Sequence, residues 1–140
     1  MISFEVAGIP LAKSKPQAVR VGDSVRIYHK KKNANYQNFV KLRAQEEIKE
    51  PLKGPISLKI SFLMPRPQRM IWKTKPMFAV PMDRKPDLDN LVKSCLDGLN
   101  GVAFLDDRQV AILHATKMYH SGDGKPTTII ELEEIGEERL

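Results

Sequence analysis

The chain of 140 residues carries a single cysteine, Cys95, which excludes an intrachain disulfide and any cysteine-built zinc site. Its three histidines, His29, His114 and His120, are scattered; none pairs with Cys95 for zinc, and none is placed by sequence to act as a general base. There is no Gly-x-Ser-x-Gly elbow for a nucleophilic serine. Gly122-Asp123-Gly124-Lys125 lacks the Gly-x-x-x-x-Gly-Lys-Ser/Thr spacing that cradles phosphates. No apolar run approaches the length of a membrane span, and Met1-Ile2-Ser3-Phe4-Glu5 has no basic-then-apolar signal pattern. The expectation is a cytoplasmic protein with no membrane contact and no small-molecule cofactor.

Positive charge is what the chain has in excess. The formal net charge is +6. The last ten residues hold five acids and one base, so residues 1–130 carry 22 bases against 12 acids, a formal +10. Such a balance points to an anionic partner, with nucleic acid the default; a generic basic protein is the alternative.

The length fits one domain, residues 1–140, with a real core. Ile2, Phe4 and Val6 alternate with polar residues and predict a strand ended by Gly8 and Pro10. Gly22-Asp23 predicts a turn between strands 18–21 and 24–28. From Asn35 the period becomes helical, with Tyr36, Phe39, Val40, Ala44 and Ile48 on one face and Pro51 beyond the end. Ile56, Leu58, Ile60 and Phe62 predict a half-buried strand. Residues 65–86 hold five of the ten prolines, which excludes a helix or central strand and predicts a long basic loop. Its Met70, Ile71, Trp72 and Phe78 either wedge into opened DNA or glue the loop down, and gluing is the commoner use. A helix over 90–99 is expected, capped by Asp89 and stopped by Asn100-Gly101. Strands over 110–119 and 127–132 are expected to form a hairpin around Ser121–Gly124, followed by an acidic tail over 131–140 that is either a solvated end or a dimer contact. The fold class expected is α/β (α+β): a small mixed sheet packed by two main helices.

The densest chemistry lies in Lys85-Pro86-Asp87-Leu88-Asp89-Asn90-Leu91-Val92-Lys93 and in Asp106-Asp107. On an extended segment Asp87 and Asp89 leave on one side together with Lys85. Crowded carboxylates repel unless a cation sits between them, and hard oxygen donors suit Mg²⁺ or Mn²⁺. Lys93, one helical turn past Asp89, is placed to neutralise them or to support the charge of a phosphate under attack. Asp106 or Asp107 would complete the shell. Taken singly, the same aspartates are ordinary caps and turn formers.

The run Asp87-Leu88-Asp89-Asn90-Leu91-Val92-Lys93, then a helix, then Asp106-Asp107 before a strand, resembles the RusA-type Holliday junction resolvases, a family common on phages and prophages. The opening Gly8-Ile9-Pro10-Leu11-Ala12-Lys13-Ser14-Lys15-Pro16 is also similar to the family's start. The segment between helix and Asp-Asp is a residue shorter than the family pattern, and the 65–86 loop is longer. The resemblance implies a Mg²⁺-dependent endonuclease (Mn²⁺ as a substitute) that nicks four-way DNA junctions in pairs as a homodimer, in recombination and repair. It implies Asp87, Asp89 and Asp107 as metal ligands and Lys93 as a further catalytic residue. Lys13, Lys15, Arg20, Lys30, Lys31, Arg66, Arg69, Lys73 and Lys85 are the basic residues expected to neutralise DNA phosphates. The rival reading is a non-catalytic branched-DNA-binding protein with a structural metal site.

Overall fold

The computed structural model of the chain describes residues 1–12, 17–22, 24–28 and 31–136, with the side chains of 1–12, 22 and 35–136. In chain order the elements are β1 (Ile2–Ala7), β2 (Gln17–Val21), β3 (Ser24–Tyr28), α1 (Lys31–Glu47), β4 (Ile56–Met64), β5 (Val80–Pro81), α2 (Leu88–Leu99), β6 (Val110–Tyr119) and β7 (Thr127–Glu134). β2 and β3 pair as the expected hairpin. The other strands form one mixed sheet in the order β1-β7-β4-β6-β5.

β4 is the centre because its alternate residues Ile56, Leu58, Ile60, Phe62 and Met64 are all buried, and a strand with so much apolar surface on one face is stable only when covered and flanked on both edges. β7 lies antiparallel on one side of it and β6 parallel on the other. The expected β6–β7 hairpin therefore does not form. Gly124 does donate to the Ser121 carbonyl as a turn should, but the segment after β6 crosses over β4, and β7 inserts between β1 and β4. Turn residues signal that a chain reverses; they do not say which strand it reverses onto.

α1 packs on β1, α2 packs on β6 and the helices pack on each other, and their buried residues join those of β4 in one core, which makes a two-layer α+β domain. α1 buries Tyr36, Val40 and Ala44 as its period predicts, Ile48 just past its end is buried as well, and Phe39 is half exposed. α2 buries Leu91, Val92, Cys95 and Leu99. The helices touch at Gly98, where a Cβ would come within 2.8 Å of the Gln37 carbonyl oxygen; only glycine permits that approach. A buried polar knot locks the layers: the Tyr36 hydroxyl lies 2.5 Å from Thr128 Oγ1 and 3.6 Å from Cys95 Sγ. Burial pushes the Cys95 thiol up to about 12, so it packs as a small apolar side chain and not as a reactive thiolate.

The acidic stretch from Glu131 is no solvated tail over its first half. β7 runs to Glu134, whose carboxylate accepts from the Gly54 amide at 2.6 Å, and Ile135 is buried. Residues 137–140 lie outside the described residues. No helix among the described residues is long and apolar enough to cross a membrane.

Candidate active site

α2 begins two residues earlier than its sequence period shows. Asp87 is the N-cap and Asp89 sits inside the first turn, so the expected cap at Asp89 is corrected to Asp87. The expected extended run that would send Lys85, Asp87 and Asp89 to one side is likewise replaced by a helix start. Asp87 caps with its backbone: its carbonyl accepts from Leu91 N at 3.2 Å, while its carboxylate makes no cap bond. Ion pairs among the described residues join Arg43 to Glu46 and Glu47, and Arg108 to Asp106; none engages Asp87 or Asp89. Both residues are exposed. Two exposed carboxylates at a helix N-terminus are favoured by the helix dipole and remain available to a ligand.

A residue that sequence reasoning passed over fixes this turn in place. Lys117 of β6 donates from Nζ to the carbonyls of Arg84, at 2.5 Å, and Pro86, at 2.7 Å. The Lys85–Pro86 bond between those carbonyls is cis. Lys117 stands in register with Phe62 of the central strand, so it faces the helix layer beneath the approach to Asp87. A lysine at an inward position of the 110–119 alternation was the available signal. Lys85 and Lys93 are both exposed. Asp89 and Lys93 rim an open groove of about 630 Å³ floored by Leu88, Val92 and Leu96 of α2 and Leu113 and Ala115 of β6.

The second acidic pair is built differently. Asp106 caps a 3-10 turn, Asp107–Gln109, and its carboxylate accepts from Arg108 N at 3.2 Å. Gln109 ties this turn to the domain with its whole amide: Oε1 accepts from Leu105 N at 2.8 Å and Asp106 N at 3.0 Å, and Nε2 donates to the Leu52 and Gly54 carbonyls at 2.8 and 3.0 Å. Sequence reading did not single out Gln109; the capping-box spacing from Asp106 was the signal. The Arg108 amide, and then a hydrogen bond from Asp107, holds Asp106 below the usual carboxylate range. Asp107 is raised, chiefly by that shared hydrogen bond, with further contributions from burial, the Asp106 charge and the Asp97 charge. Asp106 is thus the structural member of the pair and Asp107 the one available for chemistry.

The two arms do not meet within one chain. Asp107 senses Asp97, near the C-terminal end of α2. Asp89 lies eight residues earlier, about 12 Å along the helix axis at the standard rise. Among the described residues no three of His, Cys, Asp and Glu are grouped to hold a metal ion. Asp87, Asp89 and Asp107 are therefore not grouped, among the described residues, as the three-carboxylate site that the sequence leads one to expect.

The basic residues divide as well. Arg69, Lys73 and Lys85 are exposed. Arg66 is buried: Nε donates to the Met70 carbonyl at 2.7 Å, and Nη1 donates to those of Phe78 and His120 at 2.8 and 3.0 Å. Its guanidinium lies 4.8 Å from the Trp72 ring, which Lys75 covers at 4.1 Å. Its placement is that of a clamp for the 65–86 loop, against the expected phosphate contact. Met70 and Trp72 follow the gluing reading, while Ile71 and Phe78 project into solvent. Arg20 lies on β2 and Lys31 opens α1, both described by backbone only; Lys13, Lys15 and Lys30 lie outside the described residues.

The helix start of a basic α+β domain thus carries two exposed carboxylates and an exposed lysine. A family model described as endodeoxyribonuclease RusA matches residues 7–133, and the chain belongs to that nuclease family. It is also similar to YqaN of Bacillus subtilis (strain 168), a protein described as uncharacterized, with 29% identity over 124 residues that cover 84% of this chain and 87% of the relative.

Proposed function

We propose that the protein is a Holliday junction resolvase: an endodeoxyribonuclease that nicks four-way DNA junctions in pairs, in recombination and repair. The observation that carries the reading is the turn Asp87–Lys93, whose two exposed carboxylates and exposed lysine stand on a helix start held in place by Lys117, in a chain of the RusA family. Its cofactor in this reading is a divalent cation, Mg²⁺ with Mn²⁺ as a substitute, with Asp87, Asp89 and Asp107 as its ligands.

The chain's own groups account for the rest. Lys93 supports the negative charge that grows on the phosphate in the transition state, where a fixed cation in a partly dehydrated site is worth most. Arg69, Lys73 and Lys85 neutralise phosphates of the junction arms, so binding weakens steeply as salt rises. A homodimer places two equivalent sites on the symmetric strands of a junction, which produces paired nicks.

The test is a labelled synthetic four-way junction incubated with Mg²⁺, with Mn²⁺ and with a chelator. Paired nicks that vanish with chelator are the expected result. Tight junction binding with no nick under either cation would replace the resolvase with a non-catalytic branched-DNA-binding protein.

A further inference from the structure

The 65–86 loop is tied down more firmly than a connecting segment requires. Arg66 joins its two sides, taking the Met70 carbonyl on one and the Phe78 carbonyl on the other, and adds the His120 carbonyl just past β6. The Gly122 amide donates to the Met77 carbonyl at 2.8 Å, and the Trp72 amide lies 3.2 Å from Met77 Sδ. These bonds fix the stretch from Met70 to Phe78 without calling on the Trp72 ring.

The ring is used differently. The Arg66 guanidinium lies 4.8 Å from its centroid and Lys75 Nζ 4.1 Å. Arg66 is buried, Trp72 half-buried and Lys75 exposed. One cation thus backs the ring on the protein side, and the other covers it on the solvent side. Arg69 and Lys73 nearby are exposed, and no acid occurs from Pro65 to Met82. No ion pair among the described residues engages Arg66 or Lys75. A flat ring among cations that lack acids suits a ligand that is itself flat and anionic, which is a nucleotide.

We propose that Trp72 is the stacking platform for one unpaired nucleobase of the junction, and that Lys75 leaves the ring to that base and takes the adjoining phosphate. The proposal rests on the nuclease reading above for the source of the base: an opened crossover offers one, whereas a linear duplex keeps its bases stacked inside. Magnitudes favour the exchange. An exposed lysine on a ring is worth a factor of about two to five, and a stacked base commonly about tenfold or more. The displaced ammonium also gains an anion. A ring already fixed against Arg66 loses little freedom when the base arrives. The platform is within reach of the acidic turn as well. Arg66 holds the His120 carbonyl and Lys117 holds the Pro86 carbonyl beside Asp87. His120 lies three residues beyond Lys117, about 10 Å at the standard strand rise, a length that about three stacked nucleotides span.

Trp72 is the chain's one tryptophan, so its fluorescence reports this ring alone. The protein is titrated, with chelator present to prevent cutting, against an oligothymidylate strand, a synthetic four-way junction and a linear duplex, and gel shifts record binding. The expected result is quenching of Trp72 by the strand and by the junction and none by the duplex. Silence toward the strand or the junction overturns the proposal. Equal quenching by the duplex overturns it too, because the ring then senses phosphates alone.

Two variants separate stacking from packing. Trp72→Phe keeps a flat face and is expected to hold strand affinity within about threefold of wild type. Trp72→Leu keeps an apolar plug without that face and is expected to lose roughly tenfold, with urea unfolding to check that both remain folded. Equal affinities of the two variants leave the ring as glue and remove the proposal. Lys75→Ala is expected to lower the slope of log affinity against log salt by about one unit; an unchanged slope overturns the transfer of the lysine to a phosphate. A protein whose Trp72 responds as expected but never cuts a junction keeps the platform and loses the resolvase reading. Paired nicks from a protein whose Trp72 stays silent do the reverse.

Discussion

The two acidic arms are made of the same residue type and are held by opposite logic. Around Asp87 and Asp89 the backbone makes the structural bonds: the Asp87 carbonyl begins the helix, and Lys117 grips the Arg84 and Pro86 carbonyls. The carboxylates are left over. Around Asp106 and Asp107 a side chain makes the structural bonds, since Asp106 caps the 3-10 turn and Gln109 anchors it with four hydrogen bonds. One carboxylate is consumed and one remains. An aspartate is available to a substrate or an ion when the local backbone has found its hydrogen bonds elsewhere, and that condition cannot be read from an Asp-x-Asp or Asp-Asp pattern.

The sharpest way to break this comparison is to neutralise one carboxylate at a time. Asp89→Asn and Asp107→Asn are each expected to lower junction cleavage by roughly a thousandfold, the scale lost with a group that stabilises the transition state, while junction affinity in a gel-shift assay is retained. Asp106→Asn keeps an N-cap of equal quality and is expected to stay within about threefold of wild type. Equal losses at 106 and 107 in single-turnover assays would mean that the division of labour within the pair is wrong.

Next in size is the anchor of the second arm. Gln109→Ala leaves two amides and two carbonyls to find water, which costs about 2 kcal/mol in urea unfolding. Cleavage is expected to fall further than junction affinity, because the turn that loosens carries Asp107. Smaller again is the anchor of the first arm. Lys117→Met keeps the half-buried stem and removes only the donor, with an expected loss of about 1 kcal/mol. Faster amide hydrogen exchange should be confined to the first turn of α2; exchange that rises across β6 instead would place the role of Lys117 in the strand itself.

The smallest effect is in titration. Carbon-detected NMR of the metal-free protein should show Asp107 releasing its proton above the ordinary carboxylate range and Asp106 below it, as two coupled steps. The Asp97 charge is one of the causes that raise Asp107, so Asp97→Asn should move Asp107 downward and leave Asp106 little changed. An upward move of Asp107 would contradict the proximity of the two groups.

Much of this could be read along the chain. The periodicities of 2–6, 56–62 and 90–99 became β1, β4 and α2, because alternation and helical spacing express which faces are buried, a local property. The Asp87–Lys93 run and the Asp-Asp pair pointed to the family that residues 7–133 match. Illegible were the strand partners within the main sheet, the clamp role of Arg66 and the bracing by Lys117 and Gln109. Each depends on which distant carbonyl or strand lies within about 3 Å, and many placements satisfy the same pattern of residues.

What the sequence alone determined is the inventory: which segments are strand or helix, which acids and bases sit at their ends, and that the chain has a nuclease's make-up. Only the tertiary structure decided that β7 inserts beside β4, and that among the described residues no three acids of the two arms group around one ion. The reason is that burial is encoded residue by residue, whereas adjacency between distant segments is settled when the whole sheet chooses the order that covers its most apolar strand.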